Sequence, residues 1–151
     1  MNYLLDTNIV VIYIRDNEQT RKLQADLKLF SADNNLFLSV VSIGELKSIA
    51  KRNQWGDQKL NKLLKFLSEF LIADINIEEV IERYAKIDTY SQGKLEGEVV
   101  NFSSRNMGKN DLWIAATASV YNLKLITTGK DFNHLKDEYI NLKTINLKDY
   151  S

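Results

Sequence analysis

The chain has no cysteine and no proline, a single histidine, only six glycines, and no net charge, its 20 basic residues being balanced by 20 acidic ones. Each shortage narrows the field. Without cysteine there is no disulfide framework, no thiolate nucleophile and no sulfur-ligated metal. One histidine cannot build an imidazole-rich zinc site, so any metal here takes oxygen ligands. That residue, His134, lies in a DFNHL stretch that reads as a loop, and a structural role is expected for it. A neutral chain sets up no overall field that attracts a polyanion; a nucleic-acid partner needs a local basic patch or bound cations. The missing proline, beside abundant Asn, Lys and Ile, reads as a bias of genome composition.

Long hydrophobic runs are also lacking. None reaches the roughly 18 residues a membrane helix requires. The N-terminal MNYLLDTNIVVIYIRD has no basic region ahead of its apolar stretch and carries Asp6 inside it, so no signal peptide and a cytoplasmic location are expected. What remains is ordinary for a globular protein: 44% hydrophobic and 26% charged residues. A length of 151 residues suits one domain, 1–151, which can bury roughly 70% of the surface its unfolded form exposes.

The most informative stretch is Arg105 to Val120, RNMGKNDLWIAATASV, a polar turn running into a helix without a solvent face. Leu112, Trp113, Ile114, Ala115, Ala116, Ala118 and Val120 point all round the barrel, so protein must cover both sides. Gly108 or Asn110 caps this helix. Asp111 then falls in its first turn, where free N–H groups and the helix dipole favour a negative charge.

The remaining elements alternate in type. Met1 to Leu5 reads as a buried strand that Asp6-Thr7-Asn8 breaks before a helix begins. Glu18 to Ala32 is an amphipathic helix and Leu36 to Val41 a second strand. Ser42 to Glu45 then has capping-box spacing, opening a helix to about Lys51. Asp57 to Phe70 is helical, Leu71 to Ile75 a strand, and Ile77 to Tyr90 a helix. Ser91 to Arg105 has no period and reads as a loop. Asn122 ends the central helix in a left-handed conformation, Leu123 to Thr127 is a strand, and Ile140 to Leu147 an edge strand. Strands alternating with helices imply an α/β three-layer sandwich around a mostly parallel sheet of about five strands.

In such sheets ligands bind beyond the carboxyl ends of the strands. Asp6 follows the first strand, Glu45 lies one turn into the helix after the second, Asp131 follows the Leu123 to Thr127 strand, and Asp111 begins the helix feeding it. Each acid has an ordinary structural reading as a cap or turn residue. Together, four carboxylates on one rim would repel and raise each other's pKa unless cations neutralise them. Carboxylate and water ligands suit Mg²⁺ or Mn²⁺.

LLDTN, SIGEL, GKNDLWIAA and the TTGKDF turn, in this order across nearly the whole chain, resemble the PIN-domain ribonucleases, in particular the VapC-type toxins of toxin–antitoxin pairs. By that resemblance Asp6, Glu45, Asp111 and Asp131 are the metal-binding acids, supported by Thr7, Asn8, Asn110 and Thr128. It implies Mg²⁺- or Mn²⁺-assisted hydrolysis of RNA, a homodimer, and a cognate antitoxin that blocks the site. Lys47, Lys51, Arg52, Arg105, Lys109 and Lys130 are the basic residues expected to flank the rim. Lys109, where many VapC-type relatives have proline, and the long Ser91 to Met107 stretch depart from the pattern, which bears on rim shape and substrate choice. Exposed apolar surface around Val11, Tyr13, Leu27 and Phe30 is a candidate contact for either partner, although core packing is the commoner role for such residues. Three alternatives stay open: a housekeeping RNA-processing nuclease, a non-catalytic module of the same fold, and a haloacid-dehalogenase-type phosphotransferase. The last expects a second Asp where this chain has Asn8.

Overall fold

A computed structural model describes residues Met1 to Ser151. Five strands, β1 (Asn2–Leu5), β2 (Asn35–Ser39), β3 (Leu71–Ala73), β4 (Lys124–Thr127) and β5 (Asn141–Thr144), form one sheet in the order β3-β2-β1-β4-β5. All its pairings are parallel. Parallel neighbours need long crossovers, and helices supply them: α1 (Thr7–Arg15), α2 (Glu18–Leu27), α3 (Val40–Arg52), α4 (Asp57–Leu67), α5 (Glu78–Ser91) and α6 (Lys109–Val120).

Successive strand residues face opposite sides, so one sheet feeds two cores. Leu5, Leu38 and Ile126 join α1, α3 and α4 through Ile9, Leu46 and Leu63. Leu4 and Leu125 join α5 and α6 through Val80, Ile87, Ile114 and Ala115 on the other face. The central helix α6 behaves as its composition requires: Leu112 and Ile114 to Ala118 are all buried, and it packs on α5, α3 and β4. Trp113 is covered by Tyr84 of α5, ring centroids 4.4 Å apart.

Several expectations are corrected. Ser42 and Glu45 make no capping box, because the helix starts three residues earlier: Ser39 is the N-cap, its side chain accepting from Val41 N at 3.1 Å. The β-branched pair Val40-Val41 reads as strand, but the cap turns the chain before it. Helix α2 stops at Leu27, with Lys28 left-handed at φ 51, and not at Ala32. Tyr13, Phe30, Phe66 and Phe70 form one aromatic cluster, and Val11 and Leu27 pack against the same core. Those early-helix residues therefore pack in or against this core, Tyr13 buried and Val11, Leu27 and Phe30 partly so.

Other readings agree with the structure. Asn122 is left-handed at φ 54, and Leu123 N returns to Ala118 O at 2.9 Å to close α6. Between Ser91 and Lys109 there is neither helix nor strand. Strand order reverses between β1 and β4, so the crevice at their carboxyl ends is where this architecture places a ligand.

Candidate active site

Asp6 stands at that crevice, one residue past β1, where Asp6 N donates to Ile126 O of β4 at 2.9 Å. Its carboxylate caps α1, Oδ1 accepting from Thr7 N at 2.8 Å, while Oδ2 accepts from Thr127 Oγ1 at 2.7 Å. Only 7% of Asp6 is exposed. Burial raises its pKa above the ordinary 3.8; the Thr127 and Thr7 hydrogen bonds oppose the rise, and the negative charge of Asp131 adds to it. Capping and a place at the crevice thus coexist in one residue.

The next link is Thr7, whose Oγ1 lies 3.0 Å from both Ser42 Oγ and Glu45 Oε1. A hydroxyl has one proton, and an ionised carboxylate can only accept. Thr7 therefore donates to Glu45 and accepts from Ser42, whose side chain is fully buried beneath it. This fixes Glu45 against the first turn of α1, although α3 carries it.

Asp111, in the first turn of α6, is half-buried, and its pKa is raised from 3.8 to about 6. Burial is the largest cause, followed by the charges of Asp6, Asp131 and Glu45 in that order. One carboxylate thus feels the other three sequence-predicted acids, which places all four in one electrostatic neighbourhood. They do not form a tight cage: no three acidic or histidine side chains stand close enough to hold a metal ion by themselves. Asp131 is exposed, on the turn after β4.

The supporting residues divide. Thr7 is buried and bonded as described, whereas Asn8 is exposed and Asn110 lies in the first turn of α6. Thr127, next to the expected Thr128, is the threonine bonded to Asp6: its fully buried hydroxyl accepts from Gly129 N at 3.1 Å while donating to Asp6. The sequence reading named Thr128, the neighbour of the residue that makes these bonds. Ser42, read as a cap, is the other residue missed.

The basic candidates divide as well. Lys47 and Lys51 line a groove on another face of α3, with Trp55, Leu60 and Leu64. Arg52 lies in the groove that contains Glu45 and Asn110. Lys109 and Lys130 are exposed next to Asn110 and Asp131. Arg105 is close enough to His134 to lower its pKa, second to burial and against the opposite pull of Asp131. His134 itself joins the rim loop, its Nε2 2.7 Å from Ser91 Oγ and its ring 5.1 Å from that of Phe102.

The PIN domain family model matches residues 3–138. No curated protein matches the sequence. Among solved structures, a chain of VapBC2 from Rickettsia felis, crystallised bound to a DNA fragment from its promoter, is 27% identical with a TM-score of 0.74, over 95% of this chain and 98% of that one. A chain of VapBC-1 from nontypeable Haemophilus influenzae is 26% identical at a TM-score of 0.71, over the same shares. VapBC-5 of Mycobacterium tuberculosis, a member of the VapBC family of toxin–antitoxin systems, shares the fold at 21% identity and a TM-score of 0.58, over 95% of this chain and 97% of that one. With a matched segment that runs from β1 to the turn beyond Asp131 and takes in all four acids, the chain belongs to the PIN domain family.

Proposed function

We propose that this protein is a divalent-metal-dependent endoribonuclease, the VapC-type toxin of a toxin–antitoxin pair, with Asp6, Glu45, Asp111 and Asp131 as its metal-binding acids. The observation that carries the reading is Asp111, a half-buried carboxylate pushed up to about 6 by burial and by three other carboxylates. Such a concentration of negative charge is costly without a cation. Family membership and the likeness to VapBC chains at 27% and 26% identity support the nuclease and toxin parts.

The donor set is all oxygen, which fits Mg²⁺ or Mn²⁺. The spread of the acids fits Mg²⁺ in particular, since that ion keeps several waters and takes only one or two carboxylates together with substrate phosphate. When bound, the cation supplies an activated water and charge stabilisation at the phosphate and the leaving 3′ oxygen. The chain's own part is to aim the acids and to oppose with hydrogen bonds the effect of burial on Asp6. Thr127 and Thr7 N fix both oxygens of Asp6, Thr7 Oγ1 fixes Glu45, and the α6 N-terminus favours ionised Asp111. RNA is the proposed substrate, with Arg52, Arg105, Lys109 and Lys130 as phosphate contacts; a homodimer and a site-blocking antitoxin are the proposed partners.

The wide spacing of the acids also fits a non-catalytic module of this fold. One experiment separates the two: cleavage of a mixed RNA pool by wild type and Asp111→Asn, with Mg²⁺, Mn²⁺ or EDTA. Metal-dependent cutting by wild type alone is the expected result. Cutting in EDTA, or undiminished cutting by Asp111→Asn, overturns the assignment. No cutting and no Mn²⁺ binding by calorimetry leaves the binding module.

A further inference from the structure

The four candidate acids are held unequally. Asp6 accepts a hydrogen bond on each carboxylate oxygen and Glu45 accepts one from Thr7, whereas the carboxylates of Asp111 and Asp131 have no partner of this kind. The first turn of α6 is exposed at Lys109 and Asn110, and its N-cap, Gly108, supplies no side-chain hydrogen bond. Side chains flanking the two free acids are joined instead. Met107, four positions before Asp111, and His134, three positions after Asp131, both meet the hydroxyl of Ser91 at the end of α5. The charge of Asp131 reaches Asp111, so the two segments are near enough for one brace to set their separation.

Ser91 is fully buried, its Oγ 3.3 Å from Met107 Sδ and 2.7 Å from His134 Nε2. A proton count gives the chain its direction. A thioether only accepts, and a hydroxyl has one proton. Ser91 donates to Met107 and therefore accepts from the Nε2–H of His134, which leaves Nδ1 as a bare lone pair. That agrees with the burial of Nδ1 without a partner. The other tautomer would bury an N–H that has no acceptor, the costlier arrangement. Burial, and after it the charge of Arg105, lowers the pKa of His134 against the pull of Asp131, which favours the neutral ring this order requires. The Ser91 backbone adds a further tie, its O accepting from Arg105 N at 2.8 Å. One connected path thus runs from the turn after β4, through the end of α5, to the entry of α6.

We propose that Ser91 is a positioning residue of the site: through His134 and Met107 it fixes the turn that carries Asp131 against the helix start that carries Asp111, and so sets the span across which a divalent cation is held. The assignment rests on the metal-site reading above. Two buried hydroxyl groups then divide the work. Thr7 links the acid after β1 to the acid of α3, and Ser91 links the acid of α6 to the acid after β4. Ser91 makes no hydrogen bond to either acid, so its effect passes through the backbone on both sides. Groups that hold a ligand in place without touching the metal set its geometry, and their loss is felt in metal affinity.

The test measures Mn²⁺ affinity by isothermal titration calorimetry, well below the Tm of every variant, and then kcat and KM on an RNA that wild type cleaves. Ser91→Ala and His134→Leu break the path and are expected to weaken Mn²⁺ binding about tenfold and to lower kcat with KM for RNA retained. His134→Gln, whose side-chain N–H reaches the place of Nε2–H, is expected to restore most of the affinity that His134→Leu loses. Thr20→Val controls for lost stability, because it removes a buried hydroxyl bonded to Ile12 O at 2.6 Å, towards the C-terminal end of α1 and away from Asp6. It is expected to lower Tm and to bind Mn²⁺ as wild type does. Wild-type Mn²⁺ affinity in Ser91→Ala, equal weakening in Thr20→Val, or no difference between His134→Gln and His134→Leu overturns the positioning role while the metal-site reading stands. Absence of Mn²⁺ binding by wild type overturns both.

Discussion

Thr127 Oγ1 lies 2.7 Å from Asp6 Oδ2, and the two residues are 121 positions apart in the chain. The contact ties the carboxyl ends of β1 and β4, the two strands between which the sheet order reverses. It also gives Asp6 its strongest opposition to the effect of burial. Three carboxylates then reach Asp111 through space, so the site's electrostatics depend on how β1, α3 and α6 are assembled.

Replacing Thr127 by valine keeps the shape and removes a buried hydroxyl that donates to Asp6 and accepts from Gly129 N. Leaving those buried groups unpartnered costs about 1–3 kcal/mol. Urea unfolding is expected to show a loss of that size for Thr127→Val, with Thr128→Val close to wild type. Equal losses at the two positions would show that the hydroxyl contact at 127 is not what matters.

Asp111 ties stability to pH. Its folded pKa of about 6 exceeds the ordinary 3.8, so between these values the folded state binds more protons than the unfolded one, and stability falls as pH rises. The contribution is fully present below 3.8 and lost above about 6. Asp111→Asn removes this liability. The metal-free variant is expected to melt higher than wild type at pH 8, by about 2–4 °C for each kcal/mol recovered, and to show no gain at pH 4. Calorimetry at the two pH values decides it.

Divalent cations should act in the opposite sense on the wild type. Binding to the folded state alone raises Tm, by about 2.7 kcal/mol of stability at a hundred times Kd. Mn²⁺ is expected to stabilise wild type at pH 8, to stabilise Asp111→Asn much less, and to bind more weakly below pH 6, where Asp111 takes up a proton. Isothermal titration across pH 5 to 8 measures this; affinity unchanged over that range would remove Asp111 from the ligand set.

His134 anchors the long rim loop. Ser91 Oγ meets its Nε2, Arg105 N returns to Ser91 O at 2.8 Å, Ser104 Oγ donates to Gln92 O at 3.0 Å, and Phe102 packs on the ring. Its Nδ1 is buried without a partner, a cost that a purely local loop would not carry. His134→Ala is expected to speed amide hydrogen exchange throughout 92–108 by about tenfold, an opening free energy lower by about 1.4 kcal/mol, with α1 to α4 unchanged. Exchange confined to wild-type rates in that segment would mean the loop is held by other contacts.

Much of this molecule was legible in one dimension. The break at Asp6-Thr7-Asn8 after an apolar run marks the end of β1, because a polar, cap-forming triplet cannot continue a buried strand. The all-round apolar character of α6 marks it as central, since a helix without a polar face must be covered on every side. These are properties of covalent neighbours, and composition with spacing suffices to read them. The four acids were legible through their positions relative to strand ends.

The rest required the assembled fold. Thr127 and Thr128 are equal in sequence, but β4 ends at Thr127, and the pairing of β4 with β1 brings that side chain, the last of the strand, to Asp6. Ser42 has capping spacing, yet Ser39 capped the helix first and left Ser42 buried under Thr7. Lys47 and Arg52 are both basic residues of α3, but their angular positions on the helix send them to different grooves. Sequence by itself determined the elements, their order and the acids at their ends, because those follow from local chemistry and period. Tertiary structure alone decided which hydroxyls hold the acids, how far apart the acids stand and where the open groove runs, because contacts between residues distant in the chain depend on register and helix rotation.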